Sequence, residues 1–487
     1  MAFQSEGVCS LQTEIDVVHS ALQSVLQRLL TTTQDVSKDP IIKVAEAKDI
    51  PTLKRIGTPG DAHSVEQVID EAFIAFDNRM RVNHPRFMGL IPSPTSPIAW
   101  LGDCIASAFN ALGASKLQAS GPVVIEKTLI EWLAGRAGFP STAGGVCVSG
   151  GSMANLMAIV LARDRIVPLR EQQERAVAYL SDQTHYSIAK ALRLLGFAKS
   201  QVRQLPADDN YQLSPRRLEA AMRADRENGL VPFLVVGTCG TTNTGAVDPL
   251  AEIAQVCKGQ GAWFHVDGAF GATATLSATR SSTVREIRHA DSMSWDAHKW
   301  LFQTYSCGLL LVKNRSHLVS SFANEGDYLR DGVALEDEEI PNFWNYTMEL
   351  TRPSSRAMKL WFTLRVMGVD RIGRMIDHGF ALAERAEEEL RKLPDWEITS
   401  RASVGVVTFR YAPKDALEDR LDEINTAVSR SLVANNTAGI LTTKVRGKVA
   451  LRICALSPHL SLEDMSEIVK TADQLARDSQ KGNSREA

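Results

Sequence analysis

The chain is short of cysteine, of net charge and of long apolar runs, and each shortage removes a class of protein. Its seven cysteines in 487 residues are scattered, with no CxxC spacing and no cysteine–histidine cluster. Neither a disulfide scaffold nor a metal site is expected, and the low, odd count fits a reducing compartment. A formal net charge of −3 provides no basic field for nucleic acid or an anionic membrane surface. No stretch approaches the roughly 18 consecutive apolar residues of a membrane-spanning helix. The opening MAFQSEGVCSLQTEID has no basic segment followed by an apolar run, so it does not read as a secretory signal. Internal repeats and low-complexity tracts are missing too, as are the phosphate-binding patterns GxGxxG and GxxxxGKS/T. The expectation is a soluble cytoplasmic protein that takes a small molecule, not nucleic acid or a membrane.

What is present is ordinary globular material, 44% hydrophobic and 23% charged, long enough for a large domain and a smaller one. Apolar spacing at Ile15, Val18, Leu22, Val25 and Leu29 predicts an amphipathic helix over about 10–30, which must pack on something, such as a second subunit. Residues 35–65 carry Pro40, Pro51 and Pro59 and read as loop. Ser64 with Gln67 then opens another helix as a capping box.

The centre alternates. AVAYLSD, PFLVVGT (232–238) and AWFHVD (262–267) read as buried strands, and the helices between them start at signals such as Ser214-Pro215. Asp248-Pro249 is read the same way, with Asp248 as a helix cap. Such alternation predicts an α/β fold with a mainly parallel sheet covered on both faces. Ligands bind such sheets beyond the carboxyl ends of the strands, where Asp182, Thr238 and Asp267 fall. NEGDYLRDGVALEDEEIPN (324–342) reads as an exposed, movable acidic loop. Helices dominate after 355, followed by strands VGVVTFRYA and VALRICAL and a final helix, SLEDMSEIVKTADQLARD, which is a smaller α+β unit.

Four features along the α/β region carry chemistry. In SGGSMANLMAIVLAR, Gly150, Gly151 and Ser152 open a helix and expose N–H groups and a hydroxyl to an anion. His185 follows a strand, where an imidazole can stack on a planar ring. Asp267 ends a strand, where a carboxylate can pair with a protonated ring nitrogen. Lys299 stands in SWDAHKWLFQTYSC among Trp300, Leu301 and Phe302, and desolvated lysines are candidates for Schiff-base chemistry. Singly, each has a plain structural explanation: a tight turn, a core histidine, a turn-capping aspartate, a packed lysine stem. In this order they are the four things pyridoxal phosphate requires.

The motifs NHPRFMGLIPSP, VSGGSMANL, SDQTHYSIAKALR, GTCGTTNTGAVDPL, WFHVDGAFGA, DSMSWDAHKWLFQTY, MELTRP and LRICAL occur together in the group II pyridoxal-phosphate-dependent amino-acid decarboxylases. The chain resembles that family over roughly residues 65–475, and within it the aromatic L-amino acid decarboxylases, especially the microbial tryptophan decarboxylases. The resemblance implies the type I, aspartate-aminotransferase-like fold and a homodimer with the active site at the interface. It further implies an N-terminal helical segment (1–70) packing on the partner subunit, a cofactor-binding large domain (71–320), a mobile catalytic loop (321–350) and a small C-terminal domain (351–487).

By matching position, Lys299 would form the Schiff base, Asp267 would pair with the pyridinium nitrogen and His185 would stack on the ring. Gly150, Gly151 and Ser152 would hold the phosphate, with Thr242 and Ala269 lining the ring and His298 beside the cofactor. Asp296 replaces an asparagine common in animal relatives and, being anionic, is given no phosphate-binding role. Tyr328 matches the loop tyrosine that protonates the substrate Cα, whereas phenylalanine there accompanies aldehyde-forming relatives. Leu90, Ile91, Pro92 and Ser93, with Trp344, would form the substrate pocket. The expected reaction is decarboxylation of an aromatic L-amino acid, tryptophan first. The alternatives are decarboxylation of glutamate, aspartate or cysteine sulfinate, an aldehyde synthase, and a cofactor-free protein that keeps only the fold.

Overall fold

The computed structural model describes residues 11–34, 38–91, 94–324, 326–335, 337 and 339–482. Its centre is a seven-stranded sheet of β1 (Gly144–Val148), β2 (Ala176–Ser181), β3 (Val202–Leu205), β4 (Val231–Thr238), β5 (Trp263–Asp267), β6 (Ser292–Asp296) and β7 (Gly308–Val312), in the order β1-β7-β6-β5-β4-β2-β3. The pairs from β3 through β6 are parallel, and β7 runs antiparallel between β6 and β1. All of these strands except β3 are buried along nearly their whole length, which is why they read as continuous apolar runs rather than alternating ones.

A second, four-stranded antiparallel sheet holds β8 (Trp396–Ser403), β9 (Val406–Tyr411), β10 (Leu441–Val445) and β11 (Lys448–Cys454), in the order β10-β11-β9-β8. Helices Val369–Arg391, Glu418–Ala434 and Leu462–Gly482 contribute to its apolar core, for example through Leu382, Val428 and Met465. Arg452 of β11 ties this unit to the first, donating to the carbonyls of Thr242 (3.0 Å) and Gly89 (2.8 Å).

Several helix starts follow from local chemistry. Ser64 accepts from the Gln67 N–H at 3.2 Å and opens the helix Val65–Asp77, and Ser214 does the same for Pro215–Glu227. Asp248 departs from expectation. It does not cap the helix that follows, because its two oxygens accept the N–H groups of Leu213 and Thr238, both at 2.7 Å, inside the protein. It is a brace between two segments, and burial pushes its carboxyl up to about 7 against the pull of those donors.

The N-terminal helix spans Leu11–Gln34, and Arg28 pairs with Asp70 at 2.6 Å on the helix Val65–Asp77. Within 35–65, read as loop, a short helix Ile50–Ile56 forms. The acidic 324–342 segment is exposed for much of its length, yet it contains short helical turns at Asp327–Leu329 and Arg330–Val333, and Gly332 and Asn342 are buried. Among the described residues no helix is long and apolar enough to cross a membrane, and no group of metal-binding side chains assembles.

Candidate active site

The ends of β1, β4, β5 and β6 converge on a cavity of about 360 Å³. Its lining includes Gly150, Gly151, Ser152, His185, Thr242, Asp267, Ala269, His298 and Lys299. The sequence-read residues of the four features are therefore together in space, although more than 140 positions separate the first from the last.

One wall is a cup at the start of the helix Gly151–Ile166, which crosses the sheet. Side chains are excluded there. A Cβ on Gly151 would lie 2.8 Å from Asp296 Oδ2 and 3.1 Å from Ala269 Cβ, and one on Gly308 would lie 2.5 Å from Gly150 Cα. The free N–H groups of the helix's first turn and its dipole favour an anion in that position.

Lys299 is placed by the residues around it. Its N–H donates to the Asp296 carbonyl at 3.1 Å, and Phe302, at φ 60°, closes the turn with a contact to the Lys299 carbonyl. Trp300 is fully buried, stacked on Phe270 with centroids 5.0 Å apart, and wedged against Gly379. The apolar residues after Lys299 thus serve as anchors for its backbone. Its Nζ lies 3.2 Å from Asp296 Oδ2, while the other oxygen of that carboxylate is buried without a hydrogen-bond partner.

Asp267 accepts from the Ala269 N–H, Ser294 Oγ and Asn155 Nδ2, each at 3.2 Å. Burial works to raise its pKa, but the charges of Lys299, His265 and His185 and the Ala269 N–H outweigh it and hold the carboxyl below its ordinary range. His185 caps the helix Tyr186–Leu194 by accepting from the Ser187 N–H. Burial depresses its pKa, as it does for His298, which favours the neutral ring in both. His298 Nδ1 sits 2.9 Å from the Cys307 carbonyl oxygen.

The expected substrate residues are not gathered in the same way. Ile91 packs into the apolar core and, like Leu90, is absent from the cavity lining. The reason is that this stretch is stitched to the second sheet: Met88 N–H donates to Gly439, Cys454 N–H donates to Met88, and Phe87 bridges Gly439. Pro92 and Ser93 lie outside the described residues. Trp344 is buried against Gly332 and borders a separate hollow with Phe322, Leu329 and Met348. Tyr328 belongs to the turn Asp327–Leu329, and its side chain lies outside the described part. Arg352 is fully buried in an ion pair with Glu126 and stacks on Phe343, a structural role.

Asn155, Ser187, Ser294, His265 and Tyr305 also shape the site but were not singled out from the sequence. Two of them left a readable signal. Asn155 lies one helical turn after Gly151, and His265 is two residues before Asp267 on the same face of β5.

An amine, a strand-end carboxylate and an anion cup around one cavity define a site for a phosphate-bearing aldehyde. Comparison with known proteins agrees. The profile described as "Pyridoxal-dependent decarboxylase conserved domain" matches residues 51–412. An aromatic-L-amino-acid decarboxylase of Bacillus atrophaeus is 39% identical over 404 residues, 83% of each chain. Tryptophan decarboxylase 2 of Oryza sativa subsp. japonica is 30% identical over 77% of each chain. A crystal structure of Oryza sativa TDC with PLP and tryptamine superposes with a TM-score of 0.89 at 26% identity, covering 98% of this chain and 99% of that one. The chain belongs to the pyridoxal-dependent decarboxylases, of fold type I, and is a PLP-dependent enzyme. The cavity's own features fit that cofactor: a cup that admits no Cβ, a carboxylate held below its ordinary pKa, and a lysine in the same lining.

Proposed function

We propose that the protein decarboxylates an aromatic L-amino acid, with tryptophan as the first candidate, to the corresponding amine. The observation that carries the aromatic substrate is the charge of the cavity. Lys299 is the only lysine or arginine among the described residues that line it, while Phe270 and Tyr305 contribute aromatic surface. A carboxylate side chain on the substrate would call for a cationic clamp, whereas an indole or phenol calls for apolar area. The relatives named for aromatic substrates support the same choice.

Bound PLP supplies an electron sink for the pair released when the carboxyl group leaves. In this reading Gly150, Gly151 and Ser152 take its phosphate, and Lys299 provides the amine that exchanges with the substrate's. Asp267, ionised and buried, keeps the ring nitrogen protonated, and His185 lies on the ring face. Thr242 and Ala269 border the ring, and His298 lies beside the cofactor. Tyr328 delivers the proton to Cα, and the surrounding segment excludes water when it closes. We place the active site between two copies of the chain, which would complete a substrate wall that the described residues of one copy leave open.

The test is incubation with PLP and a panel of L-amino acids: tryptophan, tyrosine, phenylalanine, glutamate and cysteine sulfinate. An aromatic amine and CO₂ are expected, and turnover confined to the acidic amino acids overturns the proposal. Lys299→Ala is expected to lose both the visible absorbance of the loaded protein and all turnover. Tyr328→Phe, assayed in air, is expected to divert product from amine to aldehyde with dioxygen as the oxidant, read as oxygen uptake with hydrogen peroxide and ammonia release.

A further inference from the structure

Behind the ring site runs a chain of buried side chains whose hydrogen bonds have only one consistent direction. Trp263 Nε1, which can only donate, gives its hydrogen to Ser292 Oγ at 2.9 Å. Ser292 Oγ also lies 2.9 Å from His265 Nδ1, and with two lone pairs as well as a hydrogen it can serve that nitrogen as donor or acceptor, so the direction is set at the other end of the chain. That Nε2 lies 2.9 Å from Asn155 Oδ1. Asn155 then has two hydrogens left, and both are used: one on Asp267 Oδ2 at 3.2 Å and one on Ser187 Oγ at 3.0 Å. Ser187 Oγ passes its hydrogen to His185 Nδ1, 2.8 Å away.

The direction is set at the far end. Asp267 as a carboxylate can only accept, which turns the Asn155 amide nitrogen toward it and Asn155 Oδ1 toward His265, so a neutral His265 carries its proton on Nε2 and takes the Ser292 hydrogen on Nδ1. Asn155 is 1% exposed and His265 is fully buried, so water cannot replace a missing partner without cost.

We propose that Asn155 is a positioning residue for the reaction, joining Asp267 and His185 into one polarised unit. It keeps Asp267 an acceptor aimed at the ring nitrogen, and it keeps His185 a neutral ring with its proton on Nε2, facing the cavity. The proposal rests on the reading of Asp267 and His185 as the two ring partners. The charged and titratable groups that face this unit are Lys299, Asp267 and Asp296 around His185, and Lys299, His265 and His185 around Asp267.

The experiment starts from cofactor-free protein labelled with ¹⁵N-histidine, the resonances being assigned with His185→Gln and His265→Gln. At neutral pH both rings are expected to be neutral with the proton on Nε2. A proton on Nδ1 of His265 would falsify the chain, whether or not any variant folds. Two near-isosteric variants then separate shape from hydrogen bonding. Asn155→Leu removes the acceptor from His265 and the donors to Asp267 and Ser187, so the His265 tautomer is expected to become mixed. Asn155→Asp keeps an acceptor for His265 but sets a second carboxyl about 3.2 Å from Asp267, so the two are expected to share one proton and Asp267 no longer faces the ring nitrogen as a lone carboxylate. Both variants are expected to bind PLP roughly tenfold or more weakly, the scale of one hydrogen bond to a charged group. Affinities within twofold of wild type for both variants would reduce Asn155 to a space-filling role and sink the proposal. Failure of wild-type protein to bind PLP would remove the reading of the ring site instead, while the tautomers would still judge the chain.

Discussion

His265 shows how a single buried side chain sets a condition on the whole protein. Its pKa is depressed to about 4, mainly by burial, partly offset by Asp267. In the unfolded chain it titrates near 6.5. Between pH 6.5 and 4 the unfolded chain therefore binds the extra proton, so stability is complete above that window and is lost as pH falls through it. His185 and His298, also depressed by burial, act in the same direction. One histidine contributes at most about 1.4 kcal/mol per pH unit, or roughly 3 kcal/mol for His265 across the window. Urea unfolding of cofactor-free protein at pH 7 and pH 5 checks this, with His265→Gln expected to show the flatter pH dependence. Lys299 illustrates a different relation between a residue and its setting. It stood out by its place after the glycine turn, His185 and Asp267 rather than by its neighbours Trp300, Leu301 and Phe302, whose side chains point into the core and leave the amine in the cavity. Asp296 was legible only as a residue without a role. The structure puts it in the wall of the cup, an arrangement produced by β6 and β7 pairing Asp296 with Gly308.

At the scale of elements, the segment carrying Tyr328 is tied down at identifiable points. Lys116 pairs with Asp337 at 2.5 Å, and Gly332 meets the tip of the Trp344 ring, where a Cβ would come within 2.6 Å of Cη2. The ion pair is exposed enough to be worth little. The glycine contact is the tighter restraint, since Trp344 is 6% exposed and has little room to move. Gly332→Ala is expected to displace the segment and lower kcat several-fold while leaving PLP affinity unchanged, because no residue of the cup or the ring site is touched. Limited proteolysis is expected to cut this segment faster in the variant, and an unchanged rate of cleavage would contradict the assignment. Local signals predicted some elements well and others not at all. Ser214-Pro215 marked a helix start because serine capping and the fixed φ of proline act within one turn. Asp248-Pro249 carries the same kind of signal, but Leu213 and Thr238 compete for the carboxylate from elsewhere in the fold, and they win.

At the scale of the molecule, apolar side chains remain uncovered on three helices near the N-terminus. They include Ile15, Val18 and Leu22 of Leu11–Gln34, Phe76 (70% exposed) of Val65–Asp77, and Trp100, Ile105 and Phe109 (81% exposed) of Pro97–Phe109. Surface of this kind is normally covered by a partner, and the proposed partner is a second copy of the chain. Sedimentation is expected to report a dimer for wild-type protein. Phe76→Asp combined with Phe109→Asp is expected to shift it to monomer with loss of turnover, and an active monomer would remove the shared active site from the proposal. The sequence by itself brought out residues that meet in one cavity, and the parallel core. Glycines at a helix start, a strand-end aspartate and an apolar-flanked lysine are local patterns, and buried strands announce themselves by composition. Only the tertiary structure decided what surrounds them. It inserted antiparallel β7 into the sheet, brought Asn155 to Asp267 across more than 100 residues, and withdrew Ile91 into the core. Those outcomes depend on which distant backbone and side-chain groups meet, and hydrogen bonds between remote segments leave no periodicity along the chain that makes them.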